Sequence, residues 1–142
     1  MSDFAIYTAD AAKIQTLLEA YRQGTKAEYL LLCHRDGSVI SEIGDAARDS
    51  STLAVLGTAS FDSARQIGLM IGEPGFQSVS YAGVNRSVYI SAVGEALLMV
   101  QVYPGGRLPK NIEDYSFLLV QKLLDAVPAF TKGATTRIKA QP

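Results

Sequence analysis

Residues Ala27–Ile40 read Ala-Glu-Tyr-Leu-Leu-Leu-Cys-His-Arg-Asp-Gly-Ser-Val-Ile, and this stretch decides the fold class. Tyr29 to His34 is a short, nearly continuous apolar run bounded by turn signals, the pattern of a strand buried on both faces. Arg35-Asp36-Gly37 supplies turn chemistry, because glycine accepts a positive φ without a Cβ clash. Val39 to Ile43 resumes as a second strand, so the stretch makes a hairpin.

On its N-terminal side a helix runs from about Ala9 to Gln23. Ile14, Leu17, Leu18 and Tyr21 give it one apolar stripe, and Gly24 is its expected stop. Asp3 to Tyr7 reads as a short strand or an ordered arm. After the hairpin, Gly44 to Asp49 is loop-like, and Asp49, Ser50 and Ser51 are candidate caps for a second helix reaching about Met70. Gly72-Glu73-Pro74-Gly75 breaks the chain.

Three strands follow: Phe76 to Ala82, diluted by Gln77, Ser78 and Ser80; Val88 to Val93; and Ala96 to Tyr103. The run Ala96-Leu97-Leu98-Met99-Val100 does not alternate, which predicts a central strand. Asn111 is read as the cap of the last helix, with Glu113 and Asp114 at its positive end. Ile112, Tyr115, Leu119, Leu123 and Val127 share one face, and Pro128 marks the end. The order α-β-β-α-β-β-β-α with short turns gives an α/β (α+β) fold with antiparallel neighbours. Residues 1–128 read as one domain. Residues 129–142, with Lys132, Arg137 and Lys139 and little apolar patterning, read as a mobile tail.

Of 142 residues, 48% are hydrophobic and 19% charged, the balance of a globular protein. A formal net charge of −1 offers no broad positive field for a nucleic-acid backbone, so nucleic acid is not an expected partner. Cys33 is the single cysteine, so no disulfide forms within the chain. Met1-Ser2-Asp3 opens no secretory signal, and no window holds the roughly 18 consecutive apolar residues a membrane span needs. Cytoplasmic location without integral membrane association is the expectation. Asn85-Arg86-Ser87 then matches a glycosylation sequon that goes unused.

Residues that carry chemistry are sparse. Cys33 and His34 are adjacent on a strand and point to opposite faces, so they cannot form a nucleophile–base pair or share a metal. Glu113 and Asp114 are explained by the helix start, and Glu42 and Asp45 by a strand end and loop. Pro104-Gly105-Gly106-Arg107 lacks the Gly-Lys-Ser/Thr ending of a phosphate-binding loop. Arg65 and Arg86 can be read as arginine fingers toward a bound GTPase or as solvated charges. No catalytic residue, metal site or cofactor is expected.

The Ala27–Ile40 hairpin, the small-residue helix after it and the late strand introduced by Val93-Gly94-Glu95-Ala96-Leu97-Leu98 together resemble the roadblock (dynein light-chain roadblock) domain family. The resemblance runs from roughly Ala11 to Val127. Its specificity comes from the order and lengths of the elements, not from any one motif. In length, N-terminal helix and the loop before the last helix, the chain is most similar to the bacterial MglB type of polarity regulator. The resemblance implies three layers: a five-stranded antiparallel sheet with one helix on one face and two on the other. It also implies a homodimer in which the third strand and the second helix each meet their mates. It implies a regulator, not an enzyme in its own right: a GTPase-activating protein that binds a Ras-like small GTPase and repositions the GTPase's own machinery, without lending a catalytic arginine.

The residues bear on dimerisation independently. Leu53, Leu56, Ser60, Ala64 and Ile67 of the second helix are expected to face the sheet, while Val55, Ala59, Phe61 and Leu69 point elsewhere. A helix apolar over more than one stripe needs cover on more than one side. Ala54, Thr58, Phe61, Ala64 and Gly68 form a row of mostly small residues, and Gly57 lies within the same helix. An interior glycine costs about 0.5–1 kcal/mol relative to alanine, which implies close backbone approach, either to a second copy or to the helix's own sheet. The third strand has no charged residue to guard an open edge. It is either paired with a second copy across a two-fold axis or covered by a loop. The expected homodimer interface is Ala54, Gly57, Thr58, Phe61, Ala64, Gly68, Val79, Ser80 and Tyr81. Asp62, Arg65 and Gln66 are the expected GTPase contacts. A scaffold or adaptor subunit is the competing reading, and a small-molecule sensor would need a cavity with a few placed polar groups.

Overall fold

In the computed structural model, which describes residues 8–45 and 49–132, strands β1 (Tyr29–His34) and β2 (Val39–Gly44) form the hairpin. Helix α1 (Thr8–Thr25) precedes them and α2 (Ser50–Met70) follows. Then come β3 (Ser78–Ala82), β4 (Arg86–Val93), β5 (Leu97–Pro104), α3 (Ile112–Ala126) and a single helical turn, α4 (Ala129–Lys132). The sheet order is β2-β1-β5-β4-β3, with every neighbouring pair antiparallel. The unalternating strand β5 is therefore central, as its sequence predicts.

The unbroken apolar run of β1 serves two cores at once. Tyr29, Leu31 and Cys33 point to the α2 side, where they join Ala54, Phe61, Ile90, Leu98 and Val100. Leu30 and Leu32 point to the other side, into a cluster with Ile14, Leu18, Met99, Leu119 and Leu123 of α1, β5 and α3. One helix thus covers one face and two cover the other, giving the three expected layers.

The α1–α3 side encloses a buried polar network. Gln101, fully buried, accepts from the Tyr21 hydroxyl at 2.9 Å and the Tyr103 hydroxyl at 2.6 Å through Oε1. Its Nε2 donates to Ser116 Oγ at 3.1 Å, and Ser116 is hydrogen-bonded to Ser91 at 3.1 Å. Each member has a partner, so the network ties α1, β4, β5 and α3 together without leaving a dry polar atom.

Several boundaries differ from the sequence reading. Helix α1 passes through Gly24, and Lys26 takes the left-handed turn at φ 68°. β3 begins at Ser78, two residues after Phe76. Asn111 lies in the left-handed region with no side-chain cap bond, so the cap assigned to it is not made. On α3 the inward position goes to Ser116, while Tyr115 is 45% exposed, because Gln101 and Ser91 need a polar partner there. The packed unit also extends past Pro128: Phe130 is fully buried. Asp3 to Tyr7 and residues 133–142 of the expected tail lie outside the described residues.

Candidate interaction site

Helix α2 starts where the sequence offers a cap. Asp49 Oδ1 accepts from the Ser51 and Thr52 backbone N–H groups at 3.0 and 3.2 Å, and the Thr52 hydroxyl donates to Oδ2 at 2.7 Å. These bonds hold the Asp49 carboxyl below its ordinary range, the Thr52 hydroxyl contributing most.

The rotation of α2 about its axis corrects two expectations. Ala54, Gly57, Thr58, Phe61 and Gly68, assigned to the homodimer interface, are buried within the single chain. Ala64 of the same row is half-buried. The sheet opposite is already filled by Leu31, Ile90, Leu98 and Val100, so only small side chains and one inserted ring fit beneath the helix axis. A Cβ on Gly68 would stop 3.1 Å from the Phe76 ring. The glycines thus serve close approach to the protein's own chain. Conversely Leu56 and Ile67, expected on the sheet, are 59% and 57% exposed. Leu53 and Ser60 are half-buried.

Apart from Phe61 and half-buried Leu53, the large apolar residues of α2 consequently point outward. Val55, Leu56, Ile67 and Leu69 are exposed, as are Met70, 87% exposed, and Ile71. Single exposed apolar residues are ordinary, but these fall in two groups, Val55 with Leu56 near the start of the helix and Ile67, Leu69, Met70 and Ile71 at its end. Exposed Asp62, Ser63, Arg65 and Gln66 lie between them. Grouped exposed apolar side chains mark an interaction surface. Beside it lies β3, an edge strand paired only with β4 among the described residues. Val79 packs on the α2-side core, and Ser80 and Tyr81 are exposed. The Tyr81 hydroxyl is hydrogen-bonded to Ser60 Oγ, which fixes the edge to α2. Asp62, Arg65 and Gln66 are exposed on the helix, with Asp62 and Arg65 paired at 3.7 Å.

Other candidate residues have local explanations. Arg86 pairs with Glu28 at 2.7 Å. Cys33 is buried, and burial pushes its thiol up to about 12. His34 Nδ1 accepts from the Asp36 backbone N–H at 3.0 Å, within the hairpin turn. Among the described residues no group of three or more His, Cys, Asp or Glu side chains is placed to hold a metal, and no helix is long and apolar enough to cross a membrane. The sequence reading gave Arg35 only a place in the turn. Its guanidinium lies 5.1 Å from the centroid of the Phe61 ring, a contact between residues 26 positions apart that no local pattern announces.

An antiparallel β2-β1-β5-β4-β3 sheet with α2 on one face and α1 and α3 on the other is the roadblock/LC7 fold, and the chain has it. A roadblock/LC7 domain from Streptomyces avermitilis matches at a TM-score of 0.63 and 16% identity, over 85% of this chain and 97% of that one. MglB structures match over more of the chain. The gliding protein MglB from Thermus thermophilus has a TM-score of 0.77 and 22% identity, covering 90% of this chain and 98% of its own. MglB from Myxococcus xanthus has a TM-score of 0.78 and 20% identity, covering 92% and 99%. No protein-family model and no curated protein matches the sequence. At these identities the likeness is one of fold.

Proposed function

We propose that this protein is a homodimeric, cytoplasmic regulator that binds a Ras-like small GTPase and stimulates its GTP hydrolysis without supplying a catalytic residue. The observation that carries the reading is the two outward apolar groups of the α2 segment, Val55 with Leu56 and Ile67 with Leu69, Met70 and Ile71, beside the uncharged open edge of β3. A second copy related by a two-fold axis covers both at once: β3 pairs with its mate, and the α2 groups meet. Val79, Ser80 and Tyr81 stay in this interface, while Leu56, Ile67 and Met70 replace the buried row. Burying apolar surface contributes about 25 cal/mol per Å², and a specific interface covers roughly 1,200–2,000 Å² in total. Asp62, Arg65 and Gln66 are the proposed GTPase contacts.

Acting on a GTPase without a catalytic group means binding its active arrangement better than its inactive one, a population shift in the partner. The experiment mixes the protein with the Ras-like GTPase encoded in the same genome and follows phosphate release, alongside light scattering of the protein alone. A dimer that accelerates release supports the regulator. A dimer that binds without acceleration is a scaffold, and a monomer at all practical concentrations ends the proposal.

A further inference from the structure

Two cationic side chains converge where β1 enters its turn. The Arg35 backbone N–H donates to the Ala96 carbonyl at 2.9 Å, which fixes the residue beside the β4–β5 turn. Its guanidinium rests on Phe61, and its Nε is buried without a hydrogen-bond partner. Among the described residues Arg35 has no ion pair. Arg65, one turn beyond Phe61 on α2, lines the same cleft of about 360 Å³, together with Phe76, Gln77 and Glu95. Burial, and then the charge of Arg65, pull the Arg35 pKa below its ordinary value, and Asp62 opposes this. A part-buried guanidinium beside a like charge, with Asp62 and Glu95 near but neither in ion-pair contact with it, has capacity left for a partner's anion.

We propose that this cleft receives a carboxylate of the docked partner, an acidic side chain seated between Arg35 and Arg65 at the flank of α2. The planar fork of Arg35, with its Cζ over the Phe61 ring at 5.1 Å, suits two parallel hydrogen bonds to a carboxylate. Asp62 and Glu95 cancel part of the local positive charge, so a singly charged carboxylate fits better than a dianionic phosphate. The assignment rests on the docking reading above only for the source of the carboxylate.

Acetate serves as the probe. Sodium acetate, titrated into the ¹⁵N-labelled protein against sodium chloride at equal ionic strength, shifts the Arg35 Nε–H resonance saturably. The substitution Arg65→Gln, at an exposed position, weakens the fitted affinity about tenfold, the size of one charge-assisted hydrogen bond. Sodium phosphate binds more weakly than acetate. A response to acetate matching that to chloride, or one unchanged in Arg65→Gln, overturns the site. Tighter binding of phosphate overturns the carboxylate assignment. If Glu95→Gln without acetate moves the Arg35 resonance as far as acetate does, Arg35 is already answered inside the chain and the proposal falls. No GTPase enters this titration, so its outcome and that of the phosphate-release assay are independent.

Discussion

A Cβ placed on Gly57 would stop 3.1 Å from Val100 Cγ2, so α2 lies against the central strand at nearly the closest distance its backbone permits. Val100 is itself buried in the middle of β5 and has no room to retreat. Gly57→Leu is therefore expected to destabilise the protein by about 3 kcal/mol, the range of an overpacked core, as read from the urea midpoint.

The outward apolar groups of α2 separate association from folding. Leu56 and Ile67 are three turns apart on one face, so Leu56→Glu with Ile67→Glu is expected to yield a monomer with unchanged far-ultraviolet dichroism. Light scattering checks the mass. Phe61→Asp gives no such separation: Phe61 is 1% exposed, and an aspartate there unfolds the chain. A double variant that remains dimeric would remove this face from the interface.

The fold was largely legible because its central strands leave no ambiguity. A run such as Tyr29–Cys33, apolar at every position, has to be covered on both sides. Helix α2 was legible as a helix with more than one apolar stripe, but not in rotation. Periodicity shows that stripes exist, whereas the choice of inward stripe depends on side-chain volume against a sheet already crowded by Leu31 and Val100. Ser116 was missed for a related reason. A serine on an apolar helix face reads as outward until the buried amide of Gln101 is seen opposite it. The Arg35–Phe61 contact joins a turn to a helix and leaves no trace in either segment alone.

The Gln101 network offers a third test. Gln101→Leu removes the acceptor of the Tyr21 and Tyr103 hydroxyls and the donor to Ser116. Tyr103 keeps a long bond to Thr25 at 3.4 Å and Ser116 keeps Ser91, so the heaviest loss falls on Tyr21 at the α1–α3 core. The expected loss is about 2–3 kcal/mol, measured by denaturant unfolding. Replacing Tyr21 by Phe as well should recover part of it, since fewer hydroxyls are then left alone.

The cap of α2 makes a pH-dependent contribution. The Asp49 carboxyl is held below its ordinary range, so its stabilisation is complete above the unfolded carboxyl pKa and is lost as pH falls through the folded one. Asp49→Ala is expected to lower Tm at pH 7, and the gap from the natural protein should narrow as acid protonates Asp49 in the latter. A gap constant with pH would remove the ionised cap.

Cys33 should be chemically silent in the folded protein. With its thiol pushed up to about 12 by burial, the thiolate is scarce at pH 8. A disulfide reagent is expected to label it only as fast as the chain unfolds. Labelling at the rate of a free thiol would mean that the α2-side core opens without global unfolding.

The inward allegiance of β1 and β5 also limits where novelty can enter. Their buried apolar positions are committed to one hydrophobic layer or the other and Gln101 to its hydrogen bonds, so the middle of the sheet offers nothing for recognition. Whatever distinguishes this protein from others of its architecture must be inscribed on the periphery: the exterior of its helices, the lateral strand and the corners. A new binding specificity could therefore be acquired by rewriting those margins while the interior stays as it is.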